Sequence, residues 1–233
     1  MKRILLVVAT VSALVGGGVL AARIGADDPQ AEAAPPPQRV IIGLDLSRSN
    51  PLIADPAFAA KVADRIAGIV RNLGFASEVH VRTFGNYDAT SNTFAYDTVL
   101  SVRNRPENVA AEIRKLIAGT PYLVQKGRWR AQQNTNILAF LDNLSQSIGC
   151  AGMPTTIVLA SDGIEDSDYA RLIRRDAHLP PPDGHPFQGC ADFEILGLGQ
   201  GADNPRLTTH LRSEWGRWAL AAGFAHFQGL NDW

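Results

Sequence analysis

The chain has 233 residues, room for one domain with tails and for a core that needs no staple to fold. Its 45% apolar content is that of an ordinary globular protein. Acids and bases nearly cancel to a formal net charge of -1, and the arginines are scattered, which excludes the clustered basic face of a nucleic-acid-binding domain.

Lys2 and Arg3 precede an uncharged run over residues 4–22. A positive flank before an apolar core is the pattern of an export signal, and a run of about 19 residues is also long enough to span a bilayer. Both outcomes stay open. Val19, Ala21 and Ala26 offer small residues for cleavage, and no cysteine lies near enough for an ordinary bacterial lipid anchor. The next tract, ADDPQAEAAPPPQ, is rich in Pro, Ala and acids and has no periodicity, so it reads as a linker. The expected organisation is a signal peptide or membrane anchor over 1–25, a linker over 26–38 and a folded domain over 39–233.

Residues 40–44 form a continuous apolar run, a buried strand. Over 56–73, apolar residues at gaps of three and four mark an amphipathic helix. Residues 77–84 and 94–102 alternate as strands do, the second at a sheet edge. A helix opens at Pro106 and ends at Thr120 and Pro121, and 122–133 reads as irregular. A helix over 136–148, a buried strand over 155–160 and a short helix over 168–176 follow. A Pro- and Gly-rich loop spans 179–189. A strand over 193–198, a helix over 207–222 and a short strand over 225–230 complete the chain. This alternation predicts a mostly parallel sheet covered by helices on both faces. Cys150 and Cys190 each fall just before a strand, and export to an oxidising compartment favours their joining as a disulfide over two buried thiols.

Ligands of such sheets bind beyond the carboxyl ends of the strands. Just past the first buried strand stands Asp45-Leu46-Ser47-Arg48-Ser49, and just past 155–160 stands Ser161-Asp162-Gly163. Asn134-Thr135-Asn136 stands at a helix start between them. Two carboxylates and three hydroxyls, without histidine or cysteine, suit Mg²⁺, Mn²⁺ or Ca²⁺.

These three clusters, in this order and strand context, resemble the metal-ion-dependent adhesion site of von Willebrand factor A domains, over nearly the whole folded part. The resemblance implies a three-layer, doubly wound, Rossmann-like α/β fold. It implies that Ser47, Ser49 and Thr135 supply hydroxyl ligands. Asp45 and Asp162 would contact the ion directly or through water. Gly163 would let the backbone turn closely beneath it, and Ser161 would brace that turn. Asn134 departs mildly from the glycine often found before the threonine, and Asn50-Pro51 follows the first motif closely. Thr90 and Thr93 are rivals to Thr135 that lack the helix start.

Around this centre, Arg48 can steer an acidic partner or be plain surface. Trp129, between Arg128 and Arg130, can anchor a partner or pack its own loop. Glu165, Asp166 and Asp168 can add a second cation site or face water, the second being favoured. Trp215 and Trp218 read as core, and the five histidines show no ligand spacing. The resemblance implies a non-enzymatic binding module, and the N-terminal segment would place it in the periplasm or outside the cell, held at the inner membrane if that segment is retained. Its open metal position would grip an Asp or Glu of a protein partner. The alternatives are an assembly subunit of an envelope complex and a metal-dependent hydrolase. The last would want a second acid where Ser47 stands.

Overall fold

The computed structural model describes residues 35–86, 94–174, 176–202 and 204–233. The expectations for the export segment, most of the linker, and Thr90 and Thr93 lie outside the described residues.

Six strands form one sheet: β1 (Arg39–Asp45), β2 (Glu78–Phe84), β3 (Ala95–Val99), β4 (Thr155–Ala160), β5 (Asp192–Leu196) and β6 (His226–Leu230). Their order is β3-β2-β1-β4-β5-β6, with only β3 antiparallel to its neighbour. Five helices join them: α1 (Pro56–Arg71), α2 (Pro106–Ala118), α3 (Thr120–Gln125), α4 (Ile137–Ser147) and α5 (Pro205–Ala222).

The strand pleat divides the core. Val40, Ile42 and Leu44 point to one face and pack with Val62, Ile66 and Val70 of α1 and Val109 and Ile113 of α2. Ile41, Ile157 and Ile195 point to the other face and meet Leu141 of α4 and Trp215 of α5. Each face is thus covered by helices, and the domain is a three-layer, Rossmann-like α/β fold. Gly43 allows a close approach on the α4 side, since a Cβ there would lie 2.7 Å from the Phe140 ring.

The capping chemistry is local. Asp55, Asn136 and Asn204 each accept a backbone N–H at a helix start, satisfying donors that have no intrahelical partner. Cys150 and Cys190 are joined, tying the segment before β4 to the start of β5.

Two elements differ from the sequence expectation. Residues 120–125 form α3 rather than a helix end, because Pro121 falls in the first turn, where its fixed φ and missing N–H cost nothing. Residues 168–176 form no helix among the described positions. There Ser167 N–H donates to the Ala170 carbonyl, Leu172 N–H donates to the Glu165 carbonyl, and the chain turns back on itself. Before β1, the Gln38 carbonyl accepts from Glu78 N–H at the start of β2, at 2.9 Å.

Candidate metal centre

β1 and β4 are adjacent parallel strands, and the chain leaves them in opposite directions, towards β2 and towards β5. Their carboxyl ends therefore border a crevice at the point where the strand order reverses. Leu44 is paired with Ala160, so Asp45 and the Ser161-Asp162 pair emerge side by side.

Asp45 is fully buried, and both of its oxygens are engaged. Oδ1 accepts from Ser47 N–H at 2.8 Å, and Oδ2 accepts from the Ser161 hydroxyl at 2.7 Å. Ser161 Oγ in turn accepts from Gly163 N–H at 3.0 Å, the bracing role the sequence suggests. Gly163 has φ of 71°, and a Cβ there would stand 2.5 Å from Leu198. Its carbonyl accepts from Trp215 Nε1 at 2.7 Å, so this core tryptophan also fixes the turn.

The Ser47 and Ser49 hydroxyls lie 3.3 Å apart. Asp162 is equally buried; its Oδ1 accepts from Ile164 N–H at 2.9 Å, while Oδ2 has no hydrogen-bond partner. A buried carboxylate oxygen without a partner is costly and calls for a cation or water. Thr135 reaches the same edge by backbone bonds on either side. Gln132 N–H donates to the Leu46 carbonyl, Arg48 N–H donates to the Gln132 carbonyl, and Asp166 N–H donates to the Thr135 carbonyl. All three clusters are thereby held at one end of the sheet.

Electrostatics point the same way. Burial, and then the neighbouring Asp162 carboxylate, push the Asp45 carboxyl up to about 7, against the bonds from Ser161 and Ser47. Burial pushes Asp162 up to about 6, against the bond from Ile164 N–H and the pull of the nearby Ser49 hydroxyl. No lysine or arginine is among the groups that act on either carboxyl. Two adjacent buried acids without a counter-charge form a site of strong negative potential. Among the described residues no group of three His, Cys, Asp or Glu gathers to hold a metal. Any ion here would rest on two carboxylates plus hydroxyls, all hard oxygen donors of the kind Mg²⁺, Mn²⁺ and Ca²⁺ take.

Three residues that matter here carry no obvious sequence signal. Asn50 is fully buried, and its Nδ2 donates to the carbonyls of Asp45 at 2.8 Å and Ala160 at 3.0 Å, clasping the ends of β1 and β4. Glu165 does not face water. It is buried and accepts from Ile137 N–H at 2.7 Å and Leu138 N–H at 3.2 Å, capping α4 just after Thr135. Gln132, also buried, forms the backbone bridge to the Ser47 loop. Of the outer residues, Arg48 is exposed, with its guanidinium beside the Gln133 side-chain amide. Trp129 is half-buried against Phe94, ring centroids 5.3 Å apart, which pins its loop to the core. A cleft of about 550 Å³ opens beside the centre, lined by Ser49, Asp162, Ile164, Ile173 and Leu207 among others.

No family model and no curated protein sequence matches the chain. Among solved structures, the chain is similar to the conserved hypothetical protein BatB from Bacteroides thetaiotaomicron, at 14% identity and a TM-score of 0.43, over 84% of this chain and 91% of that one. It is also similar to the pilus adhesin SpaC from Lactobacillus rhamnosus GG, at 15% identity and a TM-score of 0.46, over 84% of this chain. The chain spans 28% of that adhesin's length. Both likenesses are distant, and the fold stands on the strand order and packing described above.

Proposed function

We propose that this chain is a divalent-cation-dependent protein-binding module of the von Willebrand factor A kind. The observation that carries the reading is the buried Asp162 Oδ2, left without a partner beside a second buried carboxylate. Ser47, Ser49 and Thr135 would offer hydroxyls to a Mg²⁺, Mn²⁺ or Ca²⁺ ion, with Asp45 and Asp162 acting directly or through water. With only two protein carboxylates, the ion keeps positive character and supplies an electrostatic grip on an Asp or Glu side chain of a protein partner. Arg48, exposed on the same loop, adds a steering charge for an acidic surface.

A hydrolase reading is less well supported. Both oxygens of Asp45 already accept hydrogen bonds, from Ser47 N–H and the Ser161 hydroxyl. Ser47 occupies the place where a second acid would act as proton donor. We read the N-terminal segment as an export signal or an inner-membrane anchor, which would place the domain in the periplasm or outside the cell.

Calorimetric titration of the protein with Mg²⁺, Mn²⁺ and Ca²⁺, alongside Asp45→Ala and Asp162→Ala, tests the centre. Binding that both substitutions abolish in folded protein supports it. A folded wild type that takes up none of the three ions, even with an acidic peptide present, sinks it.

A further inference from the structure

At the opposite end of the sheet from the metal centre, the loop after α1 meets the loop after β3. Ala76 N–H donates to the Leu100 carbonyl, and Leu100 N–H donates to the Ser77 carbonyl, both at 2.8 Å. Three apolar side chains flank these bonds without burial: Phe75 is 55% exposed, Val99 52% and Val102 73%. A phenylalanine on a loop tip loses favourable burial unless something covers it. The turn that presents it is strained, since Ala76 holds φ of 63°, a left-handed conformation that L-residues other than glycine, asparagine and aspartate seldom adopt.

Three arginines stand within a few residues of this apolar tip in sequence. Arg71 ends α1, Arg103 lies in the loop after β3, and Arg105 precedes α2; all three are exposed. None makes an ion pair among the described residues, whereas Arg39, Arg65, Arg82 and Arg114 are each paired with a carboxylate. Of the exposed acids nearest in sequence, Asp97 is already paired with Arg82 and His80, and Glu107 stands alone against the three arginines. The chain also enters the domain here, since the Pro35 carbonyl lies against Gly74, where a Cβ would stand 2.0 Å from it. N-terminal to Pro35 lie the acid- and alanine-rich tract and the uncharged run over residues 4–22.

We infer that this end of the domain docks on an anionic phospholipid bilayer, with Phe75, Val99 and Val102 entering the headgroup region and Arg71, Arg103 and Arg105 facing lipid phosphates. The inference rests on reading the N-terminal run as a retained membrane anchor. The tether would bring the domain to the bilayer by this end, and exposed apolar side chains with unpaired arginines close in sequence match an anionic interface in both character and charge. Docking in this pose turns the metal centre away from the membrane, towards a partner.

The test uses the full chain in nanodiscs of phosphatidylcholine, with and without about one-third phosphatidylglycerol, a fraction that gives a strongly anionic surface. Nitroxide labels are placed at Val102→Cys and, as a control near the metal edge, at Asp168→Cys. Co-purification with the discs reads the anchor; relative accessibility to oxygen and to an aqueous nickel chelate reads the depth of each label. In anionic discs the label at position 102 is expected to be lipid-accessible while the label at 168 stays in water. Arg103→Glu with Arg105→Glu should reduce the docked-to-undocked ratio by at least about 25-fold, since each basic residue near an anionic surface is worth about fivefold. A chain that co-purifies but keeps position 102 in water in anionic discs overturns docking and leaves the anchor standing. A chain that does not co-purify overturns both. Unchanged immersion after the charge reversals overturns the arginine–lipid pairing.

Discussion

Removing one of the two buried charges should stabilise the metal-free protein. In Asp162→Asn the side-chain oxygen can still accept from Ile164 N–H, while the negative charge beside Asp45 disappears. The folded state raises the Asp162 carboxyl from 3.8 to about 6, so it holds that proton more tightly than the unfolded chain does. Folding stability is therefore greatest below the unfolded value and is lost as pH rises through the interval between the two. Above that interval the full cost applies, about 3 kcal/mol at roughly 1.4 kcal/mol per pH unit of displacement. Asp45 adds a loss of the same sign up to about 7, and part of that also vanishes with its neighbour. Urea unfolding in chelator at pH 8 should then show the Asn variant's midpoint higher by about 1 M, taking a slope of about 2–3 kcal/mol per M. Near pH 4 the difference should shrink towards zero. Mg²⁺ at about 1,000 times its Kd should bring wild type level with the variant or above it, because it adds about 4.1 kcal/mol to the form that binds it. An Asn variant less stable than wild type at pH 8 in chelator, by the same margin as at pH 4, would refute the account of two uncompensated charges.

Asn50→Ala should cost about 2–3 kcal/mol in urea unfolding, since the Asp45 and Ala160 carbonyls both lose a buried donor, and calorimetry should show weaker Mg²⁺ binding as the ends of β1 and β4 loosen. Glu165→Ala should cost about 2 kcal/mol by the same assay, because two buried N–H groups at the start of α4 lose their acceptor. Reduction of Cys150–Cys190, which lie 40 residues apart in sequence, should lower stability by about 4 kcal/mol on the loop-entropy estimate, measured with and without a phosphine reductant.

The parts legible in the sequence are those governed by local periodicity and by strand ends. The run over 40–44 and the gaps of three and four over 56–73 are dictated by burial on a sheet and on a helix face. The carboxyl-end rule then directs attention to Asp45 and Asp162 without any contact being known. What escaped depends on partners distant in sequence. Asn50 reads as a turn residue until β4 is placed beside β1, for its two acceptors come from different strands. Glu165 reads as one acid in an exposed turn until the start of α4 is seen above it. Pro121 looks like a helix end because the same residue that stops one helix opens the next. The turn over 168–176 shows helical spacing, yet its ends are drawn together by Glu165 and Ala170 carbonyls instead.

The clasp between Asp45 and Ser161 joins groups 116 residues apart in the chain. Asp45 with its serines is one loop and Asp162 another, so the proposed centre would be complete only when the two meet. A growing or translocating chain carries no trace of the site until β4 has emerged and aligned with β1. On the proposed reading, cation uptake would be an act of the finished fold, and the ion captured would be set by the compartment where folding ends.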